Sequence, residues 1–332
     1  MTFDELLPLL FMAVMGLAML IYVVLDGYDL GVGMLLPFAS DAEKDTMINS
    51  IGPFWDANET WLVLGVGVLL VAFPKAHGVV LTALYLPATL MLVGLVLRGV
   101  AFDFRVKVDT AYKPLWNRIF TSGSLLTSVC QGWMLGSYIT GFSHHWSQIV
   151  FNLGVAFTLP FAYALLASGW LIMKTEGALM DKACRWGRIS FWPMLAAIAF
   201  ISAITPLVVP QIFQKWFTFP TMFALAPIPL ATVLCLWGIH HVLSRPRVIQ
   251  AGYGWMVFGL TAGVMTLSFL GLAYSQFPYV VLNQLTVWDA AAAPGSLKII
   301  LVGVVLTLPA ILGYTAFSYK VFWGKAKELS YQ

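Results

Sequence analysis

Two short stretches carry carboxylates where an apolar chain has least use for them. LDGYDLGVG (25–33) holds Asp26 and Asp29, and GPFWDANETW (52–61) holds Asp56 and Glu59, with Asn58 between them and Trp55 and Trp61 on either side. Within each stretch the two carboxylates are three residues apart, so on a helix they share a face. Four negative charges brought close together in a low-dielectric setting cannot all stay ionised, so such a cluster holds and exchanges protons, as a proton-entry path requires. Asn58 could orient a carboxylate or a water, since buried polar atoms seek partners. A bland reading stands beside this one. Pro53 suits a first helical position, an acid in a first turn opposes the helix dipole, and tryptophans anchor spans at interfaces.

The elements that must position these groups are membrane helices. Of the 332 residues, 60% are hydrophobic and only 10% charged, against about 25% charged in a soluble domain. Such a chain cannot cover itself with polar surface, so its outer solvent is lipid. A net charge of +3 gives no reason to expect nucleic acid. A span needs roughly 20 apolar residues, and nine are expected: 6–36, 53–73, 78–97, 119–141, 149–173, 189–209, 220–243, 254–276 and 297–322. With the N-terminus outside, 15 of the 18 Lys and Arg residues fall in cytoplasmic segments, and only Lys75, Lys215 and Lys298 lie outside. The positive-inside rule therefore sets the N-terminus outside and the C-terminus in the cytoplasm. The start of the chain lacks the basic region and cleavage site of a signal peptide, so its first apolar run is expected to remain as a span. The fold class is an all-α polytopic membrane protein, one integral-membrane domain over 1–332.

The first span poses its own question. Leu6 to Leu25 already rise about 30 Å, which leaves Asp26 near the cytoplasmic boundary. The apolar run to Phe38 would be about 50 Å as one helix, so it either projects beyond the lipid or breaks near Gly27, Gly31 and Gly33. The second span starts on the same side, so all four carboxylates are expected at one level. Arg98, Asp103 and Arg105, in LRGVAFDFR, read as paired charges at a helix end, with a partner or headgroup contact as the sharper alternative. Trp288 and Asp289, in TVWDAAAAPGSLK, lie in an outer loop, where Asp289 is a turn or cap residue and a partner contact is open. Haem ligation needs histidines deep in helices; His77, His144, His145, His240 and His241 all fall near span ends. Cys130, Cys184 and Cys235 lack metal or disulfide spacing and read as space fillers.

DGYDLGVG (26–33), INSIGPFWDANETW (48–61), LRGVAFDFR (97–105) and TVWDAAAAPGS (286–296) resemble, in order, subunit II of the cytochrome bd-type quinol oxidases. Ala57 stands where the family usually has Gly, and Asp103 where it often has Glu; the shorter chain resembles the cyanide-insensitive branch. The resemblance implies two four-helix bundles plus one extra helix, packed against subunit I as a heterodimer in a bacterial or archaeal cytoplasmic membrane. It implies quinol and dioxygen as substrates of the complex. It places two haems b and one haem d in subunit I, and no haem ligand on this chain. Some members hold a quinone in subunit II as a structural lipid, and a small single-span accessory subunit is left open. The aspartate of the family's WD motif, here Asp56, belongs to a cytoplasmic proton path. On that basis Asp56 is expected to be the main relay, with Glu59 and Asp26 supporting, Asp29 alongside, and Trp55 and Trp61 excluding lipid and water. A scaffold without proton chemistry and, more distantly, an ion-coupled secondary transporter are the alternatives.

Overall fold

The computed structural model describes residues 2–143 and 145–326; His144 and the end of the tail, 327–332, lie outside the described residues. The helices are α1 (Phe3–Leu35), α2 (Asp41–Ile51), α3 (Trp55–Ala72), α4 (Pro74–Lys107), α5 (Lys113–Ile139), α6 (Trp146–Lys174) and α7 (Gly177–Val208). They continue with α8 (Pro210–Phe217), α9 (Thr221–Leu225), α10 (Pro227–Ser244), α11 (Pro246–Val248) and α12 (Trp255–Gln276). A small antiparallel hairpin of β1 (Tyr279–Val281) and β2 (Leu285–Thr286) leads through α13 (Val287–Ala290) to α14 (Pro294–Val321).

Eight segments of the described residues are long and apolar enough to cross a membrane: those built on α1, α3, α4, α6, α7, α10, α12 and α14. The expected span at 119–141 falls on α5, which has 27 residues. Asn117, Ser124, Thr127, Ser128 and Gln131 are buried on it, and they make it less apolar than the other long helices. It packs against α4, α6 and α1.

Local chemistry explains the ends. Thr2 and Ser40 open α1 and α2 with capping boxes, their backbone N–H groups donating to Glu5 and Glu43 at 2.7 Å. α1 does not break at its glycines; it runs unbroken to Leu35 before a short 3₁₀ turn. Gly31 explains why, because any side chain there would collide with the Tyr163 carbonyl and Ala167 of α6. The small residue lets two helix backbones touch, which is how membrane helices gain packing energy. The segment between the first two spans is mostly the helix α2. Its Met47, Ile48 and Ile51 are buried in the largest core cluster, beside Trp170 and Leu171 of α6.

α1 is the central post, packed against α3, α5 and α6. α6 also packs on α7 and α12, α12 packs on α10, and α14 lies against α3 and α1. Ile299, Val302, Val305 and Leu306 are exposed on α14, as suits a helix with lipid or a partner on its open side.

Candidate functional site: a buried carboxylate–arginine cluster

Hydropathy ends the third span at residue 97, because Arg98 interrupts the apolar run. The helix continues ten residues further, to Lys107, and Arg98 is 1% exposed. Its Nη1 donates to Asp26 Oδ1 of α1 at 2.6 Å, and its Nη2 donates to Glu59 Oε1 of α3. Three helices are thus tied by one guanidinium, whose planar fork suits two carboxylates at once. Arg98 is therefore not a headgroup contact; it is the cation of the cluster.

Asp29 sits one turn beyond Asp26, also buried, and takes a different partner. Asn58 Nδ2 donates to Asp29 Oδ2 at 2.8 Å and also approaches the Tyr28 hydroxyl at 3.0 Å. The Tyr319 hydroxyl of α14 donates to Asn58 Oδ1 at 3.2 Å and lies 2.6 Å from the Tyr28 hydroxyl. Asn58 is consequently a hub between α1, α3 and α14. A second polar string flanks the cluster: Gln131 of α5 donates to the Tyr22 hydroxyl at 2.7 Å and accepts from the Tyr163 hydroxyl at 2.6 Å.

The charges do not balance. Asp26 and Glu59 share one guanidinium, while Asp29 beside them is paired with the neutral Asn58 amide and with no cation among the described residues, and in a low-dielectric interior surplus negative charge is met by protons. Asp26 Oδ2 and Asp29 Oδ1 are buried with no hydrogen-bond partner among the described residues, so each carboxyl retains a lone pair that can take a proton. Glu59 is the least enclosed of the three, its side chain 28% exposed. Asp56, one turn earlier on α3, is exposed. The four carboxylates therefore divide: three gather around Arg98, and Asp56 stands at the surface beside them.

The tryptophans divide similarly. Trp61 is fully buried, packed near Tyr22 and Ala18. Trp55 is half-buried, its ring 5.2 Å from Phe102, and both line or close a narrow crevice bounded also by Asp29, Arg98 and Phe120. Arg105 is buried as well, bound to Asp45 at 2.7 Å and to Asn117 at 2.5 Å. That pairing is internal, which corrects the surface contact considered for it. Asp103 is exposed. Trp288 donates to the Glu5 carbonyl at 3.1 Å, and Asp289 pairs with Thr286 as the cap of α13.

Sequence reading missed Tyr28, Tyr319 and the latch beside them. Lys174, at the end of α6, places its ammonium 4.9 Å from the Trp170 ring and 5.1 Å from the Phe54 ring, and donates to the Phe322 carbonyl at 2.7 Å. The Ala326 N–H donates to the Lys174 carbonyl at 2.8 Å and Lys325 to the Thr175 carbonyl at 2.7 Å. This clamps the chain just after α14 and holds Tyr319, whose ring lies 4.6 Å from Phe54. The signal available was the run of tyrosines at polar positions in apolar helices, which hydropathy scarcely registers.

Outside the spans, Lys182 of α7 reaches Glu43 of α2 at 2.6 Å. This ammonium, helped by the Ser40 backbone N–H, pulls the Glu43 carboxyl down to about 2. Among the described residues no group of three or more His, Cys, Asp or Glu side chains is placed to hold a metal ion.

A family model described as "Cytochrome bd terminal oxidase subunit II" matches residues 7–322. "Cytochrome bd ubiquinol oxidase subunit 2" of Bacillus subtilis (strain 168) is 29% identical over 320 residues, covering 90% of each chain. "Cytochrome bd-I ubiquinol oxidase subunit 2" of Escherichia coli (strain K12) is 26% identical over 370 aligned positions, covering 97% of this chain and 95% of the other. A chain in the solved structure of bd oxidase from Geobacillus thermodenitrificans shares the fold, with a TM-score of 0.75 at 15% identity, over 95% of this chain and 98% of that one. The chain belongs to the family of subunit II of the cytochrome bd terminal oxidases, and it is thus one subunit of a quinol oxidase.

Proposed function

We propose that this chain stabilises the haem-bearing subunit I and supplies part of the route by which cytoplasmic protons reach the oxygen-reducing site. The observation that carries this is the buried cluster itself: Asp26, Asp29 and Glu59 around a single Arg98, with exposed Asp56 one turn from Glu59. A carboxylate buried in a membrane helix costs roughly 2.5–3.5 kcal/mol on insertion scales, so three of them ask for a function. Asp56 takes a proton from the cytoplasm and passes it to Glu59, which shares Arg98 with Asp26. Asp29, oriented by Asn58 and the Tyr28–Tyr319 pair, buffers a second proton. Trp55 and Trp61 keep lipid and bulk water from short-circuiting the transfer.

The reading includes nine spans, with α5 as the ninth, the N-terminus outside and the C-terminus in the cytoplasm of a bacterial or archaeal inner membrane. The distribution of Lys and Arg supports that orientation. Two four-helix sets, α1/α3/α4/α5 and α6/α7/α10/α12, with α14 outside them, agree with the packing. Among the described residues the histidines all lie near helix ends, His77 in the first turn of α4, His145 just before α6, and His240 and His241 in the last two turns of α10, which does not fit a haem held deep in the spans. Two haems b, one haem d and the reactions of quinol and dioxygen are accordingly assigned to subunit I. A structural quinone and a small accessory subunit belong to the same proposal without residues of their own here.

Purification of the tagged chain from native membranes tests the assembly. Haem b and haem d bands travelling with a larger subunit support it, and a colourless solitary protein from membranes that contain the oxidase refutes it. A second reading, scaffold alone, draws on the full burial of the Arg98–Asp26 pair, which ties α1 to α4 whether or not protons pass. The two readings part on turnover per haem in carboxylate variants.

A further inference from the structure

Away from the Arg98 cluster, α7 and the turn joining α10 to α12 line an open pocket of about 200 Å³ that shares no residue with the proton route. Of its lining, Cys184 and Ile249 are buried and Met180 half-buried, which makes an apolar floor, while Arg185, Arg188 and Gln250 are exposed and form the rim. Arg188 is anchored, its Nε donating to the Leu243 carbonyl at 2.7 Å, which pins one edge of the guanidinium to the end of α10. Neither Arg185 nor Arg188 has an ion-pair partner among the described residues. Arg245 and Arg247 are exposed on the adjoining turn and raise the positive potential further. Asp181 is the one acid of the rim.

The depth of this cavity is marked by aromatic residues. Trp192 of α7, Trp237 of α10, and Tyr253 and Trp255 at the start of α12 are all exposed, and exposed tryptophans and tyrosines on membrane helices sit at headgroup level. Ile189, the residue after Arg188, is exposed as well, so apolar surface suited to lipid chains begins where the arginines end. Basic pockets between membrane helices on the cytoplasmic side take phosphate-bearing headgroups, and guanidinium groups bind phosphate oxygens through paired N–H donors.

We propose that this cavity is a phospholipid-binding site in which Arg185 and Arg188 hold the headgroup phosphate, Gln250 donates to its ester oxygens, and the Met180–Cys184–Ile249 floor receives the glycerol end of the acyl chains. An apolar floor beneath a cationic rim distinguishes it from a site for a free anion, which has no use for the floor.

The test uses the purified oxidase complex, stripped of lipid by detergent exchange and titrated with dihexanoyl phosphatidylglycerol or with inorganic phosphate, binding being read by calorimetry and native mass spectrometry. The short-chain lipid is expected to bind the wild type and to bind Arg185→Glu at least about tenfold more weakly, as loss of charge-assisted hydrogen bonds implies. Arg185 is exposed, so this variant keeps its fold, and an unchanged haem spectrum verifies it. Asp181→Asn is expected to tighten lipid binding by removing the one repelling charge. Equal lipid affinity in wild type and Arg185→Glu overturns the site. Inorganic phosphate binding as tightly as the lipid overturns the lipid assignment.

Discussion

Arg98 of α4 and Asp26 of α1, 72 residues apart in the chain, meet at 2.6 Å with both side chains 1% exposed. A pair so enclosed is held by geometry: the guanidinium also serves Glu59, and no neighbouring water-facing surface can substitute for either partner. Removing one member of such a pair leaves a bare charge and costs about 3–5 kcal/mol. Arg98→Met is therefore expected to prevent accumulation of the chain in membranes. Arg98→Lys keeps the charge but loses the fork and should restore part of the yield. Immunoblots of membrane fractions compare the two, and wild-type levels of Arg98→Met would show that the pair does not hold the fold.

Asn58 and Tyr319 test the second half of the cluster. Asn58→Leu removes the amide that binds Asp29 and both tyrosines, leaving Asp29 without its only side-chain donor among the described residues. A buried unsatisfied group costs about 1–3 kcal/mol, so the midpoint of thermal unfolding should fall clearly. Tyr319→Phe deletes one hydroxyl from a network that keeps Tyr28 and Asn58 and should cost about 1 kcal/mol. A larger loss in Tyr319→Phe than in Asn58→Leu would place the hub on α14 and not on α3.

The Lys174 latch predicts a local effect. α14 has few buried side chains, and its C-terminal end is fixed by Lys174 on Phe322 and by Ala326 on Lys174. Lys174→Met keeps the bulk but drops the donor and the cation over the two rings. Amide hydrogen exchange is expected to speed up through residues 319–326 and to stay unchanged in α1. Uniform loss of protection across the chain would mean Lys174 supports the whole core instead.

Glu43 gives a pH dependence with a definite sign. Its carboxyl falls from an ordinary value near 4.5 to about 2 when α2 docks on Lys182. A depressed carboxyl stabilises the folded state above its unfolded value and loses that contribution as pH falls through its folded one. α2 docking is thus expected to be fully supported above about 4.5 and to weaken progressively down to about 2. Protease nicking between residues 39 and 52 should rise over that window, and Glu43→Gln should nick at neutral pH as the wild type does in acid. No difference between the two forms at neutral pH would contradict it.

How far the sequence reached can be judged from particular residues. Nine spans are expected because apolar runs and charge-bearing connections alternate cleanly, and eight of them fall on segments long and apolar enough to cross a membrane; Asp26, Asp29, Asn58 and Glu59 announce themselves as polar exceptions. Arg98 was legible as an unusual charge and illegible as a core residue. Hydropathy ends a span at any cation, whereas a helix continues wherever a partner from another segment neutralises it. α2 was missed because its apolar face is short, although Ser40 and Glu43 at capping-box spacing mark its start. The separation of exposed Asp56 from the other three carboxylates depends on the rotation of α3 about its own axis, which packing sets and spacing alone does not.

The most direct test of the proton route measures oxygen consumption per haem d in purified complexes carrying Asp56→Asn or Glu59→Gln. Both changes keep side-chain shape and remove the titrating proton; Asp56 lies at the surface, and in Glu59→Gln the buried Arg98 keeps Asp26 as its ion-pair partner, so assembly is preserved. The proposal predicts full haem content with turnover reduced at least about tenfold in each, in line with loss of a positioned proton-transfer group. Full haem content with wild-type turnover in both variants would contradict it and leave the chain as scaffold.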